Sequence, residues 1–115
     1  MSNTVVVVDD DRDYLEILGR KLAEIGFKHV RLEDSAIKLA EDLEKGISFD
    51  LALIDITMPE MDGVSLLEAI KSNSPATECI MVTAINEARI AVECLNKGAY
   101  DYLVKPVATE DLSLA

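Results

Sequence analysis

Apolar residues recur along this chain with two different periods. Val5-Val6-Val7-Val8 is a β-branched run without alternation, and Leu51-Ala52-Leu53-Ile54 and Ile80-Met81-Val82 are built the same way. A strand that is apolar at every position is buried on both faces, as strands of a parallel sheet are. Tyr102-Leu103-Val104 reads as a shorter example. His29-Val30-Arg31-Leu32 alternates apolar with polar and reads as an edge strand. Between these runs the period becomes helical. Residues 12–25 place Leu15, Leu18, Leu22 and Ile25 on one stripe, with Gly26 as the stop. Residues 35–45 do so with Ala36, Leu39, Ala40 and Leu43, stopped at Gly46. Residues 64–72 use Val64, Leu67 and Ile70, with Pro75 beyond, and residues 86–97 use Ile90, Ala91, Cys94 and Leu95, stopped at Gly98. A last helix starts near Thr109, and the chain ends within two turns of it. Five successive β-α units predict an α/β domain, a parallel sheet with helices on both faces. The short last helix suggests a domain cut from a longer chain.

Composition narrows the picture. A chain of 115 residues, half of them hydrophobic, suits one domain with a real core. Acids outnumber bases 22 to 11, for a net charge of -11. That excess argues against direct binding of nucleic acid or of an anionic membrane surface, both of which need a basic footprint. Cys79 and Cys94 sit in apolar settings without a metal-ligand or redox spacing, so reduced core cysteines are expected. The N-terminus lacks the pattern of a signal peptide, and every apolar run is far too short for a bilayer; a cytoplasmic protein is the expectation.

The candidate chemistry lies at the strand ends. Ligands of open α/β sheets bind outside the carboxyl ends of the strands. Asp9, Asp10 and Asp11 follow Val8, Asp55 follows Ile54, Thr83 follows Val82 and Lys105 follows Val104. Taken singly, each has a plain structural reading: helix N-caps for the first three, a polar strand end, a strand threonine, a surface lysine. Four strand ends with compatible groups on one edge point instead to a site. Converging carboxylates call for a cation, and oxygen donors without His or Cys select Mg²⁺, Ca²⁺ or Mn²⁺. A hydroxyl, an ammonium and a spare carboxylate beside such a metal suit phosphoryl transfer to the carboxylate. The 1-3-5 spacing of Asp9, Asp11 and Asp13 is that of an EF-hand loop, but Tyr14 and Arg20 stand where Gly and Glu are needed. Asp9-x-Asp11 also resembles the nucleophile loop of Mg²⁺-dependent haloacid-dehalogenase-type phosphatases. Asp13 departs from their motif, and the chain is short for them.

Together the motifs resemble the receiver domain of two-component response regulators, over the whole of residues 1–115. Val7-Val8-Asp9-Asp10, Asp55-Ile56-Thr57-Met58-Pro59-Glu60-Met61-Asp62-Gly63, Val82-Thr83-Ala84 and Lys105-Pro106 carry the resemblance. The segment Gly98–Pro106 is similar to receivers of nitrogen-control-type transcriptional regulators. The resemblance implies a flavodoxin-like doubly wound sheet in the order 2-1-3-4-5. It implies that Asp55 is the phosphoacceptor and that Mg²⁺ is bound by Asp10 directly, by Asp9 largely through water, by Asp55, and by the backbone carbonyl of Thr57. Lys105 would pair with the phosphoryl group, Thr83 would swing to hydrogen-bond it, and Tyr102 would rotate inward behind it. The surface of the fourth helix, fifth strand and fifth helix would then change, and a homodimer could form through it. Asp11 matches no such role and is expected to cap the first helix.

Further expectations follow. Pro106 is expected to be cis, Met58 and Met61 to pack in their loop, and Gly63 to supply a permissive turn backbone. His29 is the one histidine and lies on the edge strand, so the phosphodonor should be a sensor histidine kinase or a phosphotransfer protein. A bulky Ile85 two residues past Thr83 would hinder the attacking water and slow dephosphorylation. On this reading the domain assists only its own phosphorylation and hydrolysis and is not otherwise an enzyme. The alternatives are the Asp-nucleophile phosphatase and a receiver-fold binding module that is never phosphorylated.

Overall fold

The computed structural model describes residues 4–56, 58, 61–84 and 87–114, the last two of these by backbone alone. The strands are β1 (Thr4–Val8), β2 (His29–Glu33), β3 (Leu51–Ile54), β4 (Glu78–Thr83) and β5 (Asp101–Val104). The helices are α1 (Arg12–Ile25), α2 (Ala36–Glu44), α3 (Gly63–Asn73), α4 (Ala88–Asn96) and α5 (Thr109–Leu114). All pairings are parallel and the sheet order is β2-β1-β3-β4-β5, as the motifs imply. Parallel crossovers are right-handed, so the chain's reversal after β2 puts α1 on one face and α2, α3 and α4 on the other.

The continuous valine run now has its reason. Val5 and Val7 pack with Leu53, Ile80 and Val82 beneath Leu15, Leu18 and Leu22 of α1 and Leu112 of α5. Val6 and Val8 pack with Ala52, Ile54 and Met81 against Leu39 and Leu43 of α2 and Leu66, Leu67 and Ile70 of α3. Each successive side chain of β1 enters a different core, so neither face admits a polar residue. The apolar area withdrawn from water at these positions is the main favourable term of folding. Cys79 and Cys94 are free and buried, as expected. Burial pushes the Cys79 thiol up to about 11 and raises that of Cys94 as well.

Three expectations need correction. Tyr102-Leu103-Val104 is not buried on both faces. β5 forms the free edge of the sheet beyond β4, with Tyr102 and Leu103 half-buried and Val104 exposed. The α4 stripe is only partly used: Cys94 is buried, Ile90 and Ala91 are half-buried, and Leu95 is 46% exposed. In α3 the spacing omitted Leu66, which is completely buried, while Val64 is half-buried. β2 does lie at the opposite edge, as its alternation indicated. Its Arg31 is clamped to Asp42 of α2 at 2.6 Å and to Glu33 at 3.3 Å. Among the described residues no helix is long and apolar enough to cross a membrane.

Candidate metal centre at the carboxyl edge of the sheet

The backbone ladder continues past the strands and sets the acids side by side. The Asp9 N–H donates to the Glu33 carbonyl at 3.1 Å, and the Asp55 N–H donates to the Val8 carbonyl at 3.0 Å. Asp9 and Asp55 are therefore held by the sheet itself, and they are only 2% and 6% exposed. Asp10 is exposed, one residue further on. One carboxylate oxygen from each of Asp9, Asp10 and Asp55 falls within 4.8 Å of the others. Asp11 does not join them. It caps α1, its Oδ1 accepting the N–H groups of Asp13 (3.0 Å) and Tyr14 (3.2 Å). Its own N–H is taken by Asp9 Oδ1 at 2.9 Å, which orients that carboxylate.

From the other half of the chain comes the cation. The Lys105 N–H donates to the Thr83 carbonyl at 2.8 Å, which ties the end of β5 to the end of β4. The ammonium of Lys105 then reaches 2.6 Å from Asp9 Oδ2 and 3.7 Å from Asp55 Oδ2. Burial by itself would lower the Lys105 pKa. The hydrogen bond to Asp9 and the charges of Asp55 and Asp9 outweigh it and hold the pKa above the usual lysine value. Thr83 is wholly buried at the same edge. Tyr102 stands half-buried on β5, packed against the core that contains Cys94. Burial, and then the neighbouring Cys94, Glu87 and Asp55, raises its phenol pKa. Lys105-Pro106 is a cis peptide, as expected.

Among the described residues one ammonium, that of Lys105, sits with three carboxylates, which leaves the cluster with excess negative charge. The donor set is hard oxygen throughout, with neither His nor Cys, which fits Mg²⁺ or a similar ion and not zinc. The Thr57 carbonyl, expected to complete the metal shell, and Ile85, expected to limit hydrolysis, lie outside the described residues.

Two residues carry more of the site than the sequence indicated. Gly63 does not have a positive φ. A Cβ there would come within 2.2 Å of the Asp55 carbonyl oxygen, so the glycine lets α3 start hard against the Asp55 peptide. Its N–H donates to the Ile56 carbonyl at 2.8 Å, and Asp62 caps the helix by accepting the Ser65 N–H. The expected permissive turn is thus replaced by a close backbone approach. Tyr14 entered the sequence reading only as a residue that breaks the EF-hand spacing, yet Lys105 Nζ lies 4.3 Å from the centre of its ring. An aromatic hydroxyl in the first turn after an acidic strand end was the one available signal. Met58 and Met61 pack as half-buried loop residues, as expected.

With this geometry in view, the comparisons define the class. The response regulator receiver domain model matches residues 5–115, so the chain belongs to that family. It is similar to the transcriptional regulatory protein ZraR of Escherichia coli (strain K12), 39% identical over 108 residues, 94% of this chain and 24% of that protein. It is also similar to a CheY-like receiver domain protein from Methanospirillum hungatei JF-1. That likeness has a TM-score of 0.88 and 34% identity and covers 97% of this chain and 88% of the other. The crystal structure of a CheX-CheY-BeF3-Mg complex from Borrelia burgdorferi matches with a TM-score of 0.88 and 26% identity, over 96% of this chain and 83% of the other. The chain spans about a quarter of the length of the curated relatives it first matches. The dehalogenase-type phosphatase reading has no support from any of these relatives.

Proposed function

We propose that this receiver domain is a switch thrown by phosphorylation of Asp55. The observation that carries the reading is the buried Asp55 carboxylate, within 4.8 Å of two further carboxylates and 3.7 Å from a lysine ammonium. In the transfer, an Asp55 oxygen attacks the phosphorus of a phosphohistidine. The O–P bond forms, the P–N bond breaks, and the electron pair returns to the imidazole, which takes up a proton. Asp9, Asp10 and Asp55, with the Thr57 carbonyl, would hold Mg²⁺, which when bound supplies charge neutralisation for the phosphoryl oxygens. Lys105 needs only a small displacement to pair with a phosphoryl group on Asp55, and the Thr83 hydroxyl takes another of its oxygens. The added charge and acceptor oxygens bias the edge of the sheet toward a second packing, with Tyr102 turned inward and the α4-β5-α5 surface altered. The Borrelia relative, whose structure contains BeF3 and Mg, supports the same ligand chemistry here.

The phosphodonor on this reading is a sensor histidine kinase or a phosphotransfer protein. The domain acts on no other substrate and assists only its own phosphorylation and hydrolysis. It forms one part of a longer transcriptional regulator of the nitrogen-control type, which the similarity to ZraR favours. A homodimer through α4-β5-α5 is the associated output, without direct nucleic-acid or membrane contact by this acidic domain. Two buried free thiols suit the reducing cytoplasm. The test is ¹⁹F NMR with beryllium fluoride. A bound signal is expected that needs Mg²⁺ and disappears in Asp55→Asn. A bound signal independent of both, or none in the parent, would leave a binding module that keeps the fold alone.

A further inference from the structure

We infer that Tyr14 positions Lys105 for the phosphoryl group, an assignment that rests on the reading of Asp55 as acceptor. Tyr14 meets the β5-α5 loop twice. Its ring lies 4.3 Å from the Lys105 ammonium. Its hydroxyl accepts the Val107 N–H at 3.3 Å. Lys21, two turns further along the same face of α1, donates from its ammonium to the Val107 carbonyl. Both backbone polar groups of the buried residue Val107 are thereby held by α1, while the Lys105 N–H is held by Thr83. The lysine is fixed by its backbone on both sides, and its ammonium rests on an aromatic face.

That arrangement solves a specific difficulty. Lysine carries its charge on a flexible four-carbon stem and is strongly hydrated, so it is easily lost to solvent. The ion pair with Asp9 at 2.6 Å would by itself hold the ammonium away from Asp55, which stands at 3.7 Å. A ring attracts the cation without using one of its N–H donors and without a charge that a phosphoryl group must displace. Tyr14 therefore keeps the ammonium beside both carboxylates and leaves it able to shift between them. Its contacts are with Lys105 and Val107, and it acts through Lys105.

The experiment compares the parent with Tyr14→Phe and Tyr14→Leu. In metal-free protein, ring current should move the Lys105 Cε protons upfield in the parent and in Tyr14→Phe; in Tyr14→Leu they should return to ordinary lysine positions. The rate of Mg²⁺-dependent phosphorylation by acetyl phosphate should fall about fivefold in Tyr14→Leu and stay within about twofold in Tyr14→Phe. Mg²⁺ affinity, measured by calorimetry, should not weaken, because a freed ammonium only relaxes its hold on Asp9. Equal rates in parent and Tyr14→Leu would overturn the inference. So would a Phe variant as slow as the Leu variant, or a loss of Mg²⁺ affinity parallel to the loss of rate, which marks simple loosening of the fold. A parent that shows the upfield protons but takes no phosphoryl group would remove the acceptor reading and the role with it.

Discussion

The middle of the sheet's carboxyl edge and its β5 end are built to different standards. At β1 and β3 the strand residues leading into the site are buried, and Asp9 and Asp55 are held by ladder hydrogen bonds to Glu33 and Val8, with Asp10 alone of the three acids exposed. Across the sheet, α4 buries Cys94 alone, Val92 and Leu95 are 54% and 46% exposed, and β5 is half-open. One region holds Asp9 and Asp55 on buried, ladder-bonded positions; the other leaves apolar side chains open to solvent. A switch needs both. On the proposed reading, phosphorylation at Asp55 meets a rigid wall, and the change it causes reaches an element whose second packing is within a few kcal/mol.

Substitutions should expose that contrast, beginning with the core under the site. Leu66→Ala, at a completely buried position of α3, should cost about 3.5 kcal/mol in urea unfolding. A loss near that of a surface change would mean that the wall is not rigid.

Lys105→Ala should cost about 2 kcal/mol in metal-free protein, because it strips the buried Asp9 of its ion pair. Mg²⁺ should restore a part of it by binding the folded state, and melting curves with and without the ion would show this. The sign with pH is fixed by the raised Lys105 pKa. Its contribution is complete below the ordinary lysine value and is lost as pH rises through the higher folded one, so the parent keeps it throughout the neutral range.

Thiol labelling compares the regions within one molecule. Both cysteines are buried, but Cys79 lies on central β4 and Cys94 on loosely packed α4. Cys94 should react about tenfold faster, since local opening is cheaper where fewer side chains are buried. Mass spectrometry of digested, alkylated protein would report it, and equal rates would erase the distinction. The smallest effect is expected at the open end: Val92→Ala and Leu95→Ala should each stay within about 0.5 kcal/mol of the parent.

The parallel sheet and the meeting of Asp9, Asp10, Asp55 and Lys105 were legible in uninterrupted apolar strands and in the residues that follow them; the strand order came only with the resemblance to the receiver family. The exposure of β5 was not legible, because Tyr102-Leu103-Val104 has the composition of a buried strand and its edge position depends on the whole topology. The half-used stripe of α4 escaped for a related reason. Periodicity shows which face is apolar, not how much of it a neighbour covers. Gly63 and Tyr14 were misjudged or missed because their roles are contacts across 8 and 91 residues of chain, with Asp55 and Lys105.

Native mass spectrometry after incubation with acetyl phosphate tests the central claim most directly. It would be run with and without Mg²⁺ on the parent and on Asp55→Asn. The account predicts a single phosphoryl adduct that requires Mg²⁺ and is absent in the Asn variant. No adduct, or one that survives the substitution, would contradict it and would turn attention to Asp9 as the nucleophile or to a domain that binds without being phosphorylated.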